Sequence, residues 1–135
     1  MKDKVFIDTN ILVYFVSDDE NKKMIARDIL LKDNINVISS QIITEFVSIT
    51  RKKKILPPED VIQYANEFMD IFEFVLIDRE TIKLSFDIFT RYKLSSWDSL
   101  VIASALENDC KILYSEDMQH DFLIDKRLRN VNPFL

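Results

Sequence analysis

Short apolar runs typical of β-strands alternate with longer amphipathic runs typical of helices along the whole chain. A short strand is expected near Val131, and four others are predicted at residues 5–7, 36–38, 74–77 and 112–114. Because parallel strands need a crossover connection, usually a helix, this alternation predicts an α/β fold with a parallel sheet of four to five strands between two layers of helices. The pattern contains no repeat or linker, so residues 1–135 are predicted to form a single domain.

Capping residues and prolines indicate where the helices begin and end. Ser17-Asp18-Asp19-Glu20 has the spacing of a capping box and predicts a helix that continues through Leu31. Asp78 is expected to cap the helix after the third strand and to take no part in a site. Two further helices are predicted at residues 11–16 and 97–108. The others are predicted from Ser39-Ser40 to about residue 53, from Pro57-Pro58 onward, and from the end of the third strand to about Tyr92.

The composition excludes several classes of protein. The chain is 47% hydrophobic, enough for an ordinary core, and no apolar run approaches the ~20 residues of a membrane span. The net charge of −5 argues against a general nucleic-acid coating protein, which needs a surplus of cations. The first residues have no signal-peptide pattern and Cys110 is the single cysteine, so we expect a cytoplasmic protein. Cys110 precedes an apolar run and has no obvious histidine partner, which disfavours a catalytic role.

The sequence contains no glycine. Glycine-rich loops that hold phosphates on backbone N–H groups, such as the P-loop and the dinucleotide-binding fingerprint, are therefore excluded. Any phosphate chemistry in this chain has to depend on side chains.

Two aspartates follow predicted strands directly. Asp8 comes after residues 5–7, and Asp117 comes shortly after residues 112–114. Sites in open α/β sheets form outside the carboxyl ends of the strands, which favours both aspartates as site residues. Aspartates are also common in turns and helix caps after strands, so each taken singly is open to that simpler interpretation.

Two further acids are predicted to lie on helices. On a helix beginning at Trp97, steps of 100° per residue place Asp98 within an apolar face formed by Trp97, Val101, Ile102 and Ala105. A carboxylate on an inward face is costly unless it is paired or bound to a metal, so Asp98 is favoured as a functional residue. Glu45 lies at the margin of the apolar face of its helix, and a solvated flanking residue is an equally good interpretation of it.

Four segments of the chain resemble, in order, the motifs of PIN-domain nucleases, and together they span essentially the whole sequence. Phe6-Ile7-Asp8-Thr9-Asn10-Ile11-Leu12 is similar to the opening motif, and Gln41-Ile42-Ile43-Thr44-Glu45-Phe46 resembles the segment with the second acid. Residues 97–105 and 113–120 resemble the third and fourth motifs, which contain Asp98 and Asp117. The size of the chain is most similar to that of VapC-type ribonuclease toxins of toxin–antitoxin pairs.

The resemblance implies a PIN-like three-layer fold with the strand order 3-2-1-4-5, which places Asp8 and Asp117 on neighbouring strands. It implies a metal-dependent endoribonuclease with Asp8, Glu45, Asp98 and Asp117 as its catalytic and metal-binding residues. It also implies an RNA substrate, a cognate antitoxin and a homodimer. Relatives often carry Gly where this chain has Asp121, and no role is assigned to that residue.

Four clustered carboxylates favour Mg²⁺ or Mn²⁺ as the cofactor. The acids repel one another, and a divalent cation relieves that repulsion. Hard oxygen ligands suit Mg²⁺ or Mn²⁺, whereas Zn²⁺ prefers Cys and His. Asp8 and Asp98 are expected to be direct ligands and Asp117 a ligand directly or through water. Glu45 is expected to be a ligand or to orient the attacking water.

Neighbouring polar residues are expected to support this site. Thr9, Asn10 and Ser115 are predicted to hydrogen-bond to the acids. Lys52 lies two turns beyond Glu45 on nearly the same helix face, where it suits RNA phosphates, although a solvated helix end is the simpler interpretation.

Two other functions use clustered aspartates on an α/β sheet. A phosphoacceptor-like signalling domain binds Mg²⁺ without cleaving nucleic acid, but it normally has an acidic pair and a later lysine that this chain lacks. A haloacid-dehalogenase-like phosphatase has Asp-x-Asp after its first strand, whereas this chain has Asp8-Thr9-Asn10. A nuclease assay with and without metal separates the three functions.

Overall fold

The computed structural model describes residues 2–135. Within these residues the chain forms six strands and six helices. The strands are β1 Lys4–Ile7, β2 Ile35–Ser39, β3 Glu73–Val75, β4 Ile112–Tyr114, β5 Leu123–Ile124 and β6 Leu128–Val131. The helices are α1 Thr9–Val16, α2 Glu20–Leu31, α3 Ser40–Lys52, α4 Pro58–Ile71, α5 Arg79–Tyr92 and α6 Ser96–Glu107.

The strands form one sheet in the order β3-β2-β1-β4-β6-β5. The pairs from β3 to β6 are all parallel, and β5 pairs antiparallel with β6 at one edge. The predicted α/β fold and strand order are confirmed, since β6 is the fifth strand expected near Val131. The two-residue β5 is an addition that the sequence pattern did not indicate.

The apolar core lies on both sides of the central strand β1. Phe6 and Ile7 are fully buried, as expected for a strand with parallel neighbours on both sides. Helix α1 packs against both α2 and α3, α3 packs against α4, and α5 packs along α6. Phe46 of α3 meets Phe68 of α4 edge to face, with 5.3 Å between the ring centroids. Each helix among residues 2–135 is too short or too polar to cross a bilayer.

Two predicted boundaries are wrong. The capping box proposed at residues 17–20 does not form, because the Ser17 hydroxyl donates to the carbonyl of Tyr14 at the end of α1. Asp19 caps α2 instead and accepts from the backbone N–H of Lys22 at 3.2 Å. The third strand ends at Val75, and Ile77 then leaves the sheet to donate its N–H to the Ser40 hydroxyl at 3.0 Å.

The absence of glycine leaves other residues in left-handed backbone conformations. Asp121, at the position where similar motifs often have Gly, has a φ of 64°. Aspartate tolerates this region better than most residues because its short polar side chain can hydrogen-bond locally. The chain therefore meets the left-handed conformation at position 121 with Asp.

Candidate active site

The four acids singled out in the sequence line one cleft of about 750 Å³. The cleft lies where β1 and β4 end, and Asp8 donates its N–H to the Tyr114 carbonyl at 3.1 Å across these two strands. Asp78 is not among the residues that line it. The structure thus brings Asp8, Glu45, Asp98 and Asp117 together at the carboxyl edge of the sheet.

Asp8 is the most buried of these acids, with 3% of its surface exposed. Its Oδ1 accepts from the N–H of Thr9 at 2.8 Å, and its Oδ2 accepts from the hydroxyl of Ser115 at 2.6 Å. Burial raises the pKa of Asp8 to about 7; these two hydrogen bonds oppose the rise, and the charges of Asp117 and Glu45 add to it. Asp8 is both the cap of α1 and a residue of the cleft.

Ser115 connects Asp8 with Asp117. Besides donating to Asp8, its hydroxyl oxygen accepts from the backbone N–H of Asp117 at 3.1 Å. The amide of Asn10 donates to Oδ2 of Asp117 at 3.1 Å. Asp117 itself is exposed, whereas Ser115 is fully buried. A buried hydroxyl with two hydrogen bonds therefore holds the loop that carries the exposed acid.

Glu45 is half-buried, and each of its carboxylate oxygens accepts a hydrogen bond. Its Oε2 accepts from the Thr9 hydroxyl at 3.0 Å, and its Oε1 accepts from the Gln41 amide at 3.1 Å. The structure rejects the interpretation of Glu45 as a freely solvated flanking residue. Thr9, Asn10 and Ser115 each donate to an acid of the cleft, as expected.

Gln41 was not identified from the sequence. It is 6% exposed, and its amide nitrogen donates both to Glu45 and to the backbone carbonyl of Trp97, the latter at 3.3 Å. Its Oε1 is buried and accepts no hydrogen bond from residues 2–135. The sequence could have indicated the contact between Gln41 and Glu45, because residues four apart on one helix are neighbours.

Asp98 lies in the first turn of α6, where the Ser95 hydroxyl accepts from its backbone N–H at 3.0 Å. The residue is half-buried and lines the cleft. Burial raises the pKa of Asp98; the Ser95 hydroxyl opposes the rise, and the charge of Asp117 adds to it. Within residues 2–135 no basic side chain forms an ion pair with Asp98.

The prediction that Trp97 belongs to the buried face of α6 is wrong. Its side chain is 65% exposed and lines the cleft. The continuously buried part of the helix, residues 101–106, begins one turn later. Because the first turn of α6 borders the cleft, Trp97 extends into the opening there, whereas Val101 and Ile102 enter the core.

The chemistry of the cleft suits a hard divalent cation. Its lining contains four carboxylates and no Lys, Arg, His or Cys. Among residues 2–135 no three His, Cys, Asp or Glu side chains are close enough together to form a ready-made cage for an ion. Mg²⁺ usually keeps several waters and uses only one or two carboxylates as direct ligands. The oxygen-only donor set therefore fits such an ion, with water completing its coordination.

The other acids discussed above lie outside the cleft. Asp78 caps α5 in a capping box with Thr81, and these hydrogen bonds lower its pKa. Oδ1 of Asp121 lies 3.7 Å from Nη1 of Arg129. Burial raises the pKa of the Cys110 thiol to about 12, which agrees with an inert structural thiol.

Comparisons with known proteins agree with the fold. The toxin–antitoxin complex from Klebsiella pneumoniae has a TM-score of 0.70 at 22% identity, covering 96% of this chain and 97% of that one. VapC20 of Mycobacterium tuberculosis, described as a sarcin–ricin loop cleaving toxin, has a TM-score of 0.69 at 10% identity, covering 81% and 86%. DNA-bound VapBC from Salmonella typhimurium has a TM-score of 0.67 at 17% identity, covering 95% and 96%. No curated protein sequence gives a significant match.

The family model of the PIN domain matches residues 5–122. This range contains β1 except its first residue, all of β2 to β4, and every acid of the cleft. The chain belongs to the PIN-domain family.

Proposed function

We propose that this chain is a metal-dependent endoribonuclease that acts as the toxin of a type II toxin–antitoxin pair. The observation that carries the proposal is the convergence of Asp8, Glu45, Asp98 and Asp117 on one cleft of a PIN domain. The structurally similar VapC20 is described as a sarcin–ricin loop cleaving toxin, and this description supports the choice of RNA as the substrate.

Asp8 and Asp98 are proposed as direct ligands of Mg²⁺ or Mn²⁺, and Asp117 as a ligand directly or through water. When bound, the ion would supply Lewis-acid stabilisation of the charge that develops on the phosphodiester. Glu45 is proposed as a further ligand or as the base that orients the attacking water. Its hydrogen bonds to Thr9 and Gln41 hold both carboxylate oxygens, which fixes the direction from which it can accept a proton.

RNA has to approach an acidic cleft, and cations close to the cleft assist this. A neighbouring groove shares Thr44 and Ser48 with the cleft and is lined by Arg51 and Lys52. Both cations lie on α3, beyond Glu45. We therefore favour Arg51 and Lys52 as contacts for RNA phosphates that flank the cleaved bond.

The proposed partners are a cognate antitoxin and a second copy of the chain. The Klebsiella structure is a toxin–antitoxin complex, which supports the first. Helix α5 exposes Ile82, Phe86 and Phe89 at the spacing of one helix face, which offers apolar area for a protein partner. A basic antitoxin side chain placed near the cleft would replace the charge of the metal ion and inhibit cleavage.

The test is RNA cleavage by the purified protein in EDTA, in Mg²⁺ and in Mn²⁺. Cleavage that requires either ion is the expected result. Labelling of the protein by a small acyl phosphate, or release of phosphate from a monoester without RNA cleavage, would instead support the phosphoacceptor or the phosphatase function.

A further inference from the structure

Trp97 is the only tryptophan of the chain, and most of its side chain is exposed at the rim of the cleft. It does not stand alone, because Ile77, Leu100 and Val101 also line the cleft. The cleft thus combines a group of carboxylates with an apolar wall that ends in an aromatic ring. A volume of about 750 Å³ is sufficient for a nucleotide unit.

The charges of the cleft limit how a polynucleotide can bind there. Four carboxylates line it and no Lys or Arg does, so the phosphates gain nothing from side chains within the cleft. The faces of the bases are neutral and stack on aromatic rings, whatever their sequence. Trp97 is the single aromatic side chain in the lining of the cleft.

We propose that the indole of Trp97 stacks on a nucleobase of single-stranded RNA next to the cleaved phosphate. The inference rests on the proposed ribonuclease function and assigns a substrate-binding residue to it. Base stacking places the backbone of that nucleotide beside Asp98, the next residue in the chain. Trp97 accordingly contributes affinity without selecting a sequence, because every base has a face on which an indole can stack.

The backbone around Trp97 is held firmly enough to serve this purpose. The Trp97 carbonyl accepts from the Gln41 amide at 3.3 Å, and the N–H of Asp98 donates to the Ser95 hydroxyl at 3.0 Å. The same Gln41 amide holds Glu45. Gln41 therefore links the segment that carries the stacking ring to one of the proposed catalytic acids.

The chain provides its own spectroscopic probe, because tryptophan fluorescence can only come from residue 97. The parent protein is titrated with a short single-stranded oligoribonucleotide, with Ca²⁺ in place of Mg²⁺ and the integrity of the RNA checked on a gel. We expect the fluorescence to be quenched on binding. An oligonucleotide of the same length made of abasic ribose phosphates is expected to leave the fluorescence unchanged.

Binding by the variants is measured from the anisotropy of labelled RNA. Trp97→Ala is expected to weaken binding about tenfold, the effect of losing ~1.4 kcal/mol of stacking. Trp97→Phe is expected to retain most of the affinity. Leu31→Ala, which shortens an equally exposed apolar side chain on α2 away from the cleft, should bind as the parent does. All three variants should show the melting temperature of the parent in EDTA and the same rise with Mg²⁺.

Two outcomes separate failure of this inference from failure of the proposed function. If the parent binds and cleaves RNA but its fluorescence is insensitive to RNA and Trp97→Ala binds normally, the stacking role is wrong and the ribonuclease function stands. A Trp97→Ala variant that binds RNA normally but loses self-association would assign the residue to a protein interface. A parent protein that neither binds nor cleaves RNA would overturn both proposals.

Discussion

Asp8 and Asp78 occupy the same local position in two parts of the molecule. Each follows a strand of the parallel sheet and caps the helix that comes next, α1 for Asp8 and α5 for Asp78. Asp8 accepts from the N–H of Thr9 at 2.8 Å, and Asp78 accepts from the N–H of Thr81 at 3.0 Å. From the local sequence alone the two aspartates perform the same task.

The pKa shifts of the two aspartates nevertheless have opposite signs. The pKa of Asp8 is raised to about 7, mainly by burial, and the pKa of Asp78 is lowered by hydrogen bonds from its own helix. Asp8 follows the central strand β1, next to the end of β4 and near the other acids of the cleft, whereas Asp78 follows β3 at the edge of the sheet. The position of the strand in the sheet therefore distinguishes a candidate active-site acid from a structural cap.

The largest expected effect contrasts Asp98→Asn with Asp78→Ala. Asp98→Asn should reduce metal-dependent RNA cleavage at least about 100-fold, more than the loss of a supporting residue usually does, because a proposed ligand is removed. Its metal-free form should melt no lower than the parent, since one of several repelling charges is gone. Asp78→Ala should cleave normally and melt a few degrees lower, because α5 loses its cap. Cleavage rates and thermal melts in EDTA measure both.

The opposite pattern would contradict the assignment. If Asp98 were a structural acid with an internal partner, Asp98→Asn would strand that partner and lower the melting temperature. A destabilised Asp98→Asn protein that still cuts RNA would exclude the proposed role.

The second prediction concerns Mg²⁺. An ion that binds only the folded state stabilises it by mass action, by about 2.7 kcal/mol at 100 times the dissociation constant. Mg²⁺ should therefore raise the melting temperature of the parent and of Asp78→Ala by similar amounts, and that of Asp98→Asn by less. Scanning calorimetry in EDTA and at several Mg²⁺ concentrations measures the shifts. Equal shifts in all three proteins would place the ion elsewhere.

The third prediction uses the opposite pKa shifts of the two aspartates. The folded-state pKa of Asp8 is about 7 against an ordinary value of 3.8. Between these two pH values the folded state therefore keeps a proton on Asp8 that the unfolded state has lost. The metal-free protein should lose stability as the pH rises from about 4 to about 7. Asp8→Asn should make this loss smaller, and the raised pKa of Asp98 should leave part of it. Melts of both proteins in EDTA across this range give the two slopes.

The same measurement at lower pH serves as the control. The pKa of Asp78 is lowered, so its contribution is present above the ordinary aspartate pKa and is lost as the pH falls below it. Asp78→Ala should reduce the loss of stability in acid and leave the slope between pH 4 and 7 unchanged. A slope between pH 4 and 7 that Asp8→Asn does not alter would contradict the burial argument for Asp8.

Much of the fold was predictable because each strand and helix carries its own periodicity and its own start and stop residues. The order of the strands, and the convergence of acids at their carboxyl ends, follow from the PIN-like motifs and from the geometry of parallel sheets. Asp78 was assigned correctly as a cap because Thr81, its partner, is close in sequence. Local patterns determine such features, and the sequence displays local patterns directly.

The errors arose where the pattern of one element does not determine what its side chains or backbone will contact. Ser17 was expected to begin α2, but the end of α1 uses its hydroxyl. Trp97 has the angular position of a core residue, yet its turn of α6 borders an opening and not another element. The two residues of β5 are too few to show a periodicity. The Ser17 case is a competition between two local hydrogen bonds, whereas the exposure of Trp97 and the pairing of β5 depend on packing between elements, which a pattern along one element does not contain.

The smallest expected effect tests whether acids of the cleft need support from neighbouring side chains that Asp78 does not need. Gln41–Glu45 on α3 and Gln63–Glu67 on α4 are the same pair at the same spacing, with nitrogen–oxygen distances of 3.1 and 3.2 Å. Gln41→Ala frees one oxygen of Glu45 and should lower RNA cleavage about tenfold, the lower end of the range for residues that orient ligands. Gln63→Ala breaks an exposed pair far from the cleft and should leave cleavage unchanged.

Gln41→Ala also removes a buried oxygen that accepts no hydrogen bond, which offsets part of the lost packing, so its melting temperature should stay close to that of the parent. Single-turnover cleavage rates beside melts of both variants decide the point, and equal rates for the two would mean that Glu45 does not depend on Gln41 for its position.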